Sequence, residues 1–171
     1  MPGTSEDQIL VAYLRRSYHA VDGLWFVMVE DETDFDRALA LDNRVWAVMG
    51  KIQARKAREL LDAPGNSPEE LARCFALKLT ADGHAFERAV EGDVVRFTVD
   101  ECPWLALLRK SGRAHLAAAV SQTICPTEGR AWAAEFGGYA FELPEMACTG
   151  AARCEMRFVR QPAVYSSAVL K

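Results

Sequence analysis

Basic charge is scarce in this chain of 171 residues: 20 Lys and Arg against 24 Asp and Glu leave a net charge of -4. That balance supplies no field for nucleic acid or for an anionic membrane surface. Long apolar runs are missing as well. The longest, Leu24 to Val29, is far short of the roughly 20 residues of a membrane span and of a signal-peptide core. The N-terminus, Met1 to Asp7, is polar and acidic, so a cytoplasmic protein is expected. No repeat, no low-complexity tract, no Gly-rich phosphate loop and no Ser-His-Asp arrangement is evident. Histidines number only three, and an odd count of five cysteines in a reducing compartment argues against a disulfide framework. What is present, 50% hydrophobic and 26% charged residues, suffices for one globular domain over residues 1–171, its core within about 5–162.

Helical periodicity dominates the first half. Thr4 or Ser5 can cap a helix whose first turn carries Glu6 and Asp7. Ile9, Leu10, Tyr13, Leu14, Ala20, Val21, Leu24, Trp25 and Met28 then recur at helical spacing, a stripe expected to be buried. Arg15, His19, Asp22 and Phe26 border it in steps of four, three and four, with Tyr18, Asp22 and Trp25 in a neighbouring row. The acidic stretch Glu30 to Asp34 ends this helix, and a second runs from Phe35 past Trp46 to a basic end at Lys51 to Arg58. Ser67, Pro68 and Glu70 read as N-cap, first-turn proline and capping box of a third helix reaching about Thr80.

Strands follow. Ala85 to Val90 and Val94 to Val99 flank a Glu91-Gly92-Asp93 turn as a hairpin. Cys102-Pro103 opens a short helix, and Cys125-Pro126 opens another that runs to Phe136 and stops at Gly137-Gly138. A second hairpin, Tyr139 to Ala147 and Arg153 to Arg160, ends at Pro162. The expected class is α+β: N-terminal helices packed with a small antiparallel sheet of two hairpins separated by helices, with a Cys-rich metal site at the last hairpin.

Cysteine placement carries the chemistry. A hairpin would bring Cys148 and Cys154 to one end, while Cys102 and Cys125 each precede a proline, with 22 residues between Cys102 and Cys125 and again between Cys125 and Cys148. As helix N-caps, the thiols of Cys102 and Cys125 would face free N–H groups and the positive end of the dipole, which favours the thiolate. Cys125, Cys148 and Cys154 supply three ligands for zinc, and Glu145 and Cys102 compete for the fourth place. An all-cysteine set would suit zinc or, alternatively, an iron–sulfur cluster. The plainer reading, small buried hydrophobes, suits Cys74, which shares an apolar helix side with Leu71, Phe75 and Leu77.

The run Glu145-x-x-Cys148-x5-Cys154-x-x-x-Phe158, behind a helix from Cys125 and the Gly137-Gly138 turn, resembles the C-terminal part of the 4-vinyl reductase type of small-molecule-binding domain. In sensors of that type the resemblance implies a structural zinc on Cys125, Glu145, Cys148 and Cys154 beside a buried ligand pocket. This chain departs from them in its shorter Cys-to-Cys hairpin and in having Cys102. Asp22-Gly-Leu-Trp25-Phe26, Val45-Trp46, Cys102-Pro-Trp104, Ile124-Cys125-Pro126 and the Cys148 to Phe158 segment also look like the landmarks of the L-2-amino-thiazoline-4-carboxylic acid hydrolase-like group. That resemblance spans most of residues 8–160.

Two functions stay open. One is a hydrolase opening a small cyclic amidine or thiazoline carboxylate, with His19 and Asp22 as base and orienting carboxylate and either a water activated at an open metal position or Cys102 as nucleophile. The other is a non-catalytic binding protein or sensor with a structural zinc and an aromatic pocket of Tyr18, Trp25, Trp46 and Trp104. Against the first, His19 and Asp22 also read as an ordinary i,i+3 pair on a helix flank, and tryptophans at helical spacing as core. The expected partner is a small-molecule ligand, with a carboxylate that Arg109 and Lys110 could meet, and neither nucleic acid nor membrane. A homodimer is left open.

Overall fold

The computed structural model describes residues 5–162. Three helices lead the chain, α1 (Glu6–Glu32), α2 (Phe35–Leu60) and α3 (Pro68–Asp82). Their starts are set locally. The Ser5 hydroxyl accepts from the Gln8 N–H at 3.2 Å, with the Gln8 side chain reaching back to close the box. Asp34 accepts from the Arg37 N–H at 2.7 Å, and Ser67 with Glu70 forms a second capping box behind Pro68. Thr4, the alternative cap, lies outside the described residues. Gly83 stops α3 in the left-handed conformation, φ 91°, that suits a residue without a Cβ.

The first hairpin joins β1 (Ala85–Glu91) to β2 (Val94–Glu101), and the second joins β3 (Tyr139–Glu145) to β4 (Cys154–Arg160). They fuse through β2 and β4 into one antiparallel sheet of order β1-β2-β4-β3. Between them come α4 (Pro103–Lys110), a 3-10 turn at Ala114–Leu116 and α5 (Ala117–Phe136). This is the α+β class expected. Val95, Phe97 and Val99 alternate inward from β2 with Met156 and Phe158 from β4. Phe75 of α3 stands at the centre of that core, its ring 5.0 Å from Phe97, 5.1 Å from Trp132 and 4.9 Å from Phe158. Among the described residues no helix is long and apolar enough to cross a membrane.

Two expectations are overturned. Cys125 is not an N-cap, because α5 begins at Ala117 and carries Pro126 inside it. Ala117, Ile124, Ala131 and Trp132 bury one face along its length, and that packing outweighs the roughly 3 kcal/mol cost of an interior proline. The second concerns α1, whose apolar stripe faces out: Leu10 is 55% exposed, Val21 68% and Leu24 61%. Its polar row is the one turned inward. Arg15 donates from Nε and Nη2 to the Ala81 and Thr80 carbonyls at 2.7 and 2.9 Å, where α3 ends; His19 is buried, and Glu30 pairs with Arg113. Ion pairs and carbonyls on the body outbid hydrophobicity in orienting this helix.

Candidate functional site

A buried ammonium organises the polar interior. Lys78 lies on the apolar face of α3 among Leu71, Phe75 and Leu79, with its Nζ 2.8 Å from Glu128 Oε2 of α5 and 3.2 Å from Asp82 Oδ2. Burial opposes its charge, but Glu128 and Asp82 outweigh burial and raise the pKa, so the lysine is held protonated. Burial raises the Glu128 pKa against the pull of Lys78. Two glycines fix α5 at this level. A Cβ at Gly50 of α2 would meet Ala131 Cβ at 2.9 Å and the Glu128 carbonyl at 3.2 Å, and one at Gly129 would overlap the Phe141 ring of β3.

α1 closes the cluster from the other side. Burial raises the Tyr18 pKa, reinforced by Asp82, and burial lowers that of His19. His84, just past α3, is driven down to about 4 by burial and then by Lys78. Among the described residues Tyr18 OH, His19 Nε2, His84 Nδ1 and Glu128 Oε1 are buried with no hydrogen-bond partner. Asp82 Oδ2 is within ion-pair distance of Lys78 but is not aligned for a hydrogen bond. An unmet buried polar group costs about 1–3 kcal/mol. Several of them lie around one lysine.

Aromatic rings pack beside this cluster. Trp104 of α4 lies 4.3 Å from the His19 ring, 5.8 Å from Tyr18 and 5.5 Å from Trp46. Beside Trp46 sit two carboxyls, Asp22 of α1 and Asp42 of α2. Burial lifts Asp22 to about 6, and burial plus the neighbouring Asp22 lifts Asp42 to about 7, while the Trp46 indole N–H acts in the opposite sense on both. Such groups exchange protons near neutral pH.

Tyr18, His19, Asp22, Trp46 and Trp104 are thus brought together. Trp25, expected in the same pocket, is 58% exposed on the outer face of α1 and does not join them. Arg109 and Lys110 are exposed at the end of α4, and His115 is exposed in the following turn. Sequence reasoning missed Asp42, Lys78, Asp82 and Glu128. Asp42 and Glu128 interrupt apolar helical rows, Ala38-Asp42-Trp46 on α2 and Ile124-Glu128-Trp132 on α5, and Lys78 follows Leu71, Cys74 and Phe75 on the apolar side of α3 with Asp82 one turn on; that interruption was the available signal.

The cysteines gather nearby. Cys102 is the α4 N-cap, as expected, but makes no side-chain cap hydrogen bond, and burial raises its pKa further than the N–H groups of Leu105 and Trp104 lower it. Burial raises Cys125 too, with Cys102 adding to the effect. The thiols are therefore protonated rather than pre-ionised, since desolvation exceeds the helix-end field. Cys102, Cys125 and Cys154 lie within electrostatic reach of one another, and Cys148 within reach of Cys154. Cys148 occupies the Ala147–Thr149 turn, and Cys154 Sγ accepts from the Ala147 N–H at 3.2 Å. Glu145 is exposed at the end of β3, opposite Glu155. Among the described residues no three His, Cys, Asp or Glu side chains are arranged as a metal-holding group.

The match that places the chain covers residues 4–120, from α1 into the start of α5. It belongs to the family of unknown function DUF6125. The matched segment carries Tyr18, His19, Asp42, Lys78, Asp82 and Trp104, whereas Glu128, Cys125, Cys148 and Cys154 lie beyond it. No curated protein and no solved structure is detectably similar to the chain.

Proposed function

We propose that this is a metal-binding, small-molecule-binding protein whose ligand sits at the Lys78 cluster, against Tyr18, His19 and Trp104. The observation that carries this reading is the set of buried, unpartnered polar atoms around Lys78 among the described residues. Glu128 Oε1 is free to accept and Tyr18 OH is free to donate, so the complement is a small molecule bearing both an N–H group and an acceptor. A cyclic amidine carboxylate has both, and its flat cationic face suits the Trp104 and Trp46 rings. Cys102, Cys125, Cys148 and Cys154 would hold the zinc. Their donor type fits, and the Ala147 N–H already aimed at the Cys154 sulfur is the kind of outer contact that supports a thiolate ligand. Bound there, zinc would tie α4 and α5 to the second hairpin.

A hydrolase is the second reading, favoured by one observation. Asp22 and Asp42 titrate at about 6 and about 7 beside the same ring wall, so one can give and the other take a proton near neutrality. Here Asp22 works with Asp42, and His19 contributes its ring to the wall.

Calorimetric titration with 2-amino-thiazoline-4-carboxylate, together with elemental analysis of the purified protein, tests the proposal. Expected are about one zinc per chain and a binding heat that Glu128→Gln weakens by about tenfold or more, the loss of one charge-assisted hydrogen bond. Absence of binding by this and related cyclic amidines, in protein with its full metal content, would remove the ligand assignment. Turnover that survives in Asp22→Asn and in Asp42→Asn would remove the hydrolase reading.

A further inference from the structure

α1 is mounted with its polar row inward, which leaves a regular seam outside, apolar except for the half-buried Ser17: Leu10, Leu14, Ser17, Val21, Leu24 and Met28, in steps of four, three, four, three and four. That is coiled-coil spacing. Every large residue of the seam is more than half exposed, from 53% at Met28 to 68% at Val21. On α2 a second exposed row, Val45, Val48 and Ile52, repeats the three-four step at 49%, 56% and 55% exposure. The two rows are neighbours. α1 and α2 run antiparallel from the Thr33–Asp34 turn, and Tyr18 meets Trp46 at 6.4 Å, which sets Val45 to Ile52 alongside the middle of α1.

We propose that a second copy of this chain covers this face, the two α1 helices crossing antiparallel about a twofold axis beside Ser17 and Val21. The seam is self-complementary in that sense. Reversed on itself, Leu10 meets Met28, Leu14 meets Leu24 and Ser17 meets Val21, the numbers of each pair adding to 38, and Tyr13 meets Trp25 by the same rule. Residue i facing j while j faces i is the signature of an isologous interface. In a parallel pair Ser17 would face Ser17. The area is also sufficient: ten apolar side chains about half exposed present on the order of 1,000 Å², above the roughly 800 Å² that each partner contributes to a stable complex and above the patches usual on monomers. The chain cannot satisfy this face by rolling α1 over, since that would break the Arg15 and Glu30 contacts and expose His19. This proposal does not depend on the ligand assignment.

Sedimentation velocity on the full chain across a hundredfold range of concentration should show twice the chain mass. Leu14→Lys and Leu24→Glu should each shift the protein to single chains with an unchanged far-ultraviolet spectrum, because both side chains are exposed and outside the core. The double variant should recover the dimer, since antiparallel pairing sets each new lysine against a new glutamate of the other copy. A parent that stays a single chain throughout overturns the proposal, including a single chain that binds phospholipid vesicles. A double variant no better associated than either single one overturns the antiparallel register.

Discussion

Asp42 shows how much one residue depends on its surroundings. Its carboxyl titrates at about 7 in the folded chain against 3.8 ordinarily, so between those values the folded state holds a proton that the unfolded state has released. Its contribution to stability is therefore greatest below about pH 4 and falls as the pH rises to about 7. His84, held down to about 4 against 6.5, acts in the opposite sense, adding stability as the pH rises from about 4 to 6.5. Asp42→Asn removes the first term and leaves the second. Its melting temperature relative to the parent should climb steadily from pH 4 to pH 7, as followed by circular dichroism, and a constant difference would show that Asp42 is not buried as described. Of this site the sequence displayed Tyr18, His19, Asp22 and Trp46 through helical spacing, and Trp104 as an aromatic just behind the Cys102-Pro103 helix start. It could not display Lys78 with Glu128, because their meeting depends on how α3 packs against α5.

Elements were more legible than contacts where the signal is local. The Ser67 box, the Asp34 break, the Gly92 turn and the Gly137 stop all act within a few residues, and each lies where the sequence indicates; of the two caps offered for α1, Ser5 holds the position and adds a box to Gln8 that was not among the expectations. The same local reading failed at Pro126, where proline marks a helix start only if nothing upstream stabilises the turn before it. It failed on α1 for a different reason. Amphipathic periodicity reports that a helix has two faces, and the choice of which turns inward was made by Arg15, His19 and Glu30. α5 offers a sharp test of close packing. Gly129→Ala places a methyl group in the Phe141 ring, and should cost about 1–3 kcal/mol as β3 is pushed from the helix. Urea denaturation should show the loss, whereas Gly112→Ala, with open space around it, should lose only what its positive φ of 74° demands.

For the whole molecule, charge at the ends of α1 sets the conditions of association. Antiparallel pairing brings Glu6 and Asp7 of one copy toward Glu32 and Asp31 of the other, so like charges oppose the apolar seam at both ends. Salt screens such exposed charges. The dimer should therefore tighten by about threefold or more between 20 and about 200 mM sodium chloride, measured by sedimentation equilibrium, and weakening by salt would indicate opposite charges across the interface. The sheet is guarded differently. Its outer strands are β1 and β3, and each presents charge to its surroundings, Glu87, Arg88 and Glu91 on one, Glu142 and Glu145 with Pro144 on the other. Charged side chains and proline deny a neighbouring strand the flat, unpaired edge it needs to extend the ladder. Among the described residues the sheet edges are thus closed to pairing, and a crowded solution of this protein should form closed pairs of limited size instead of growing into fibres.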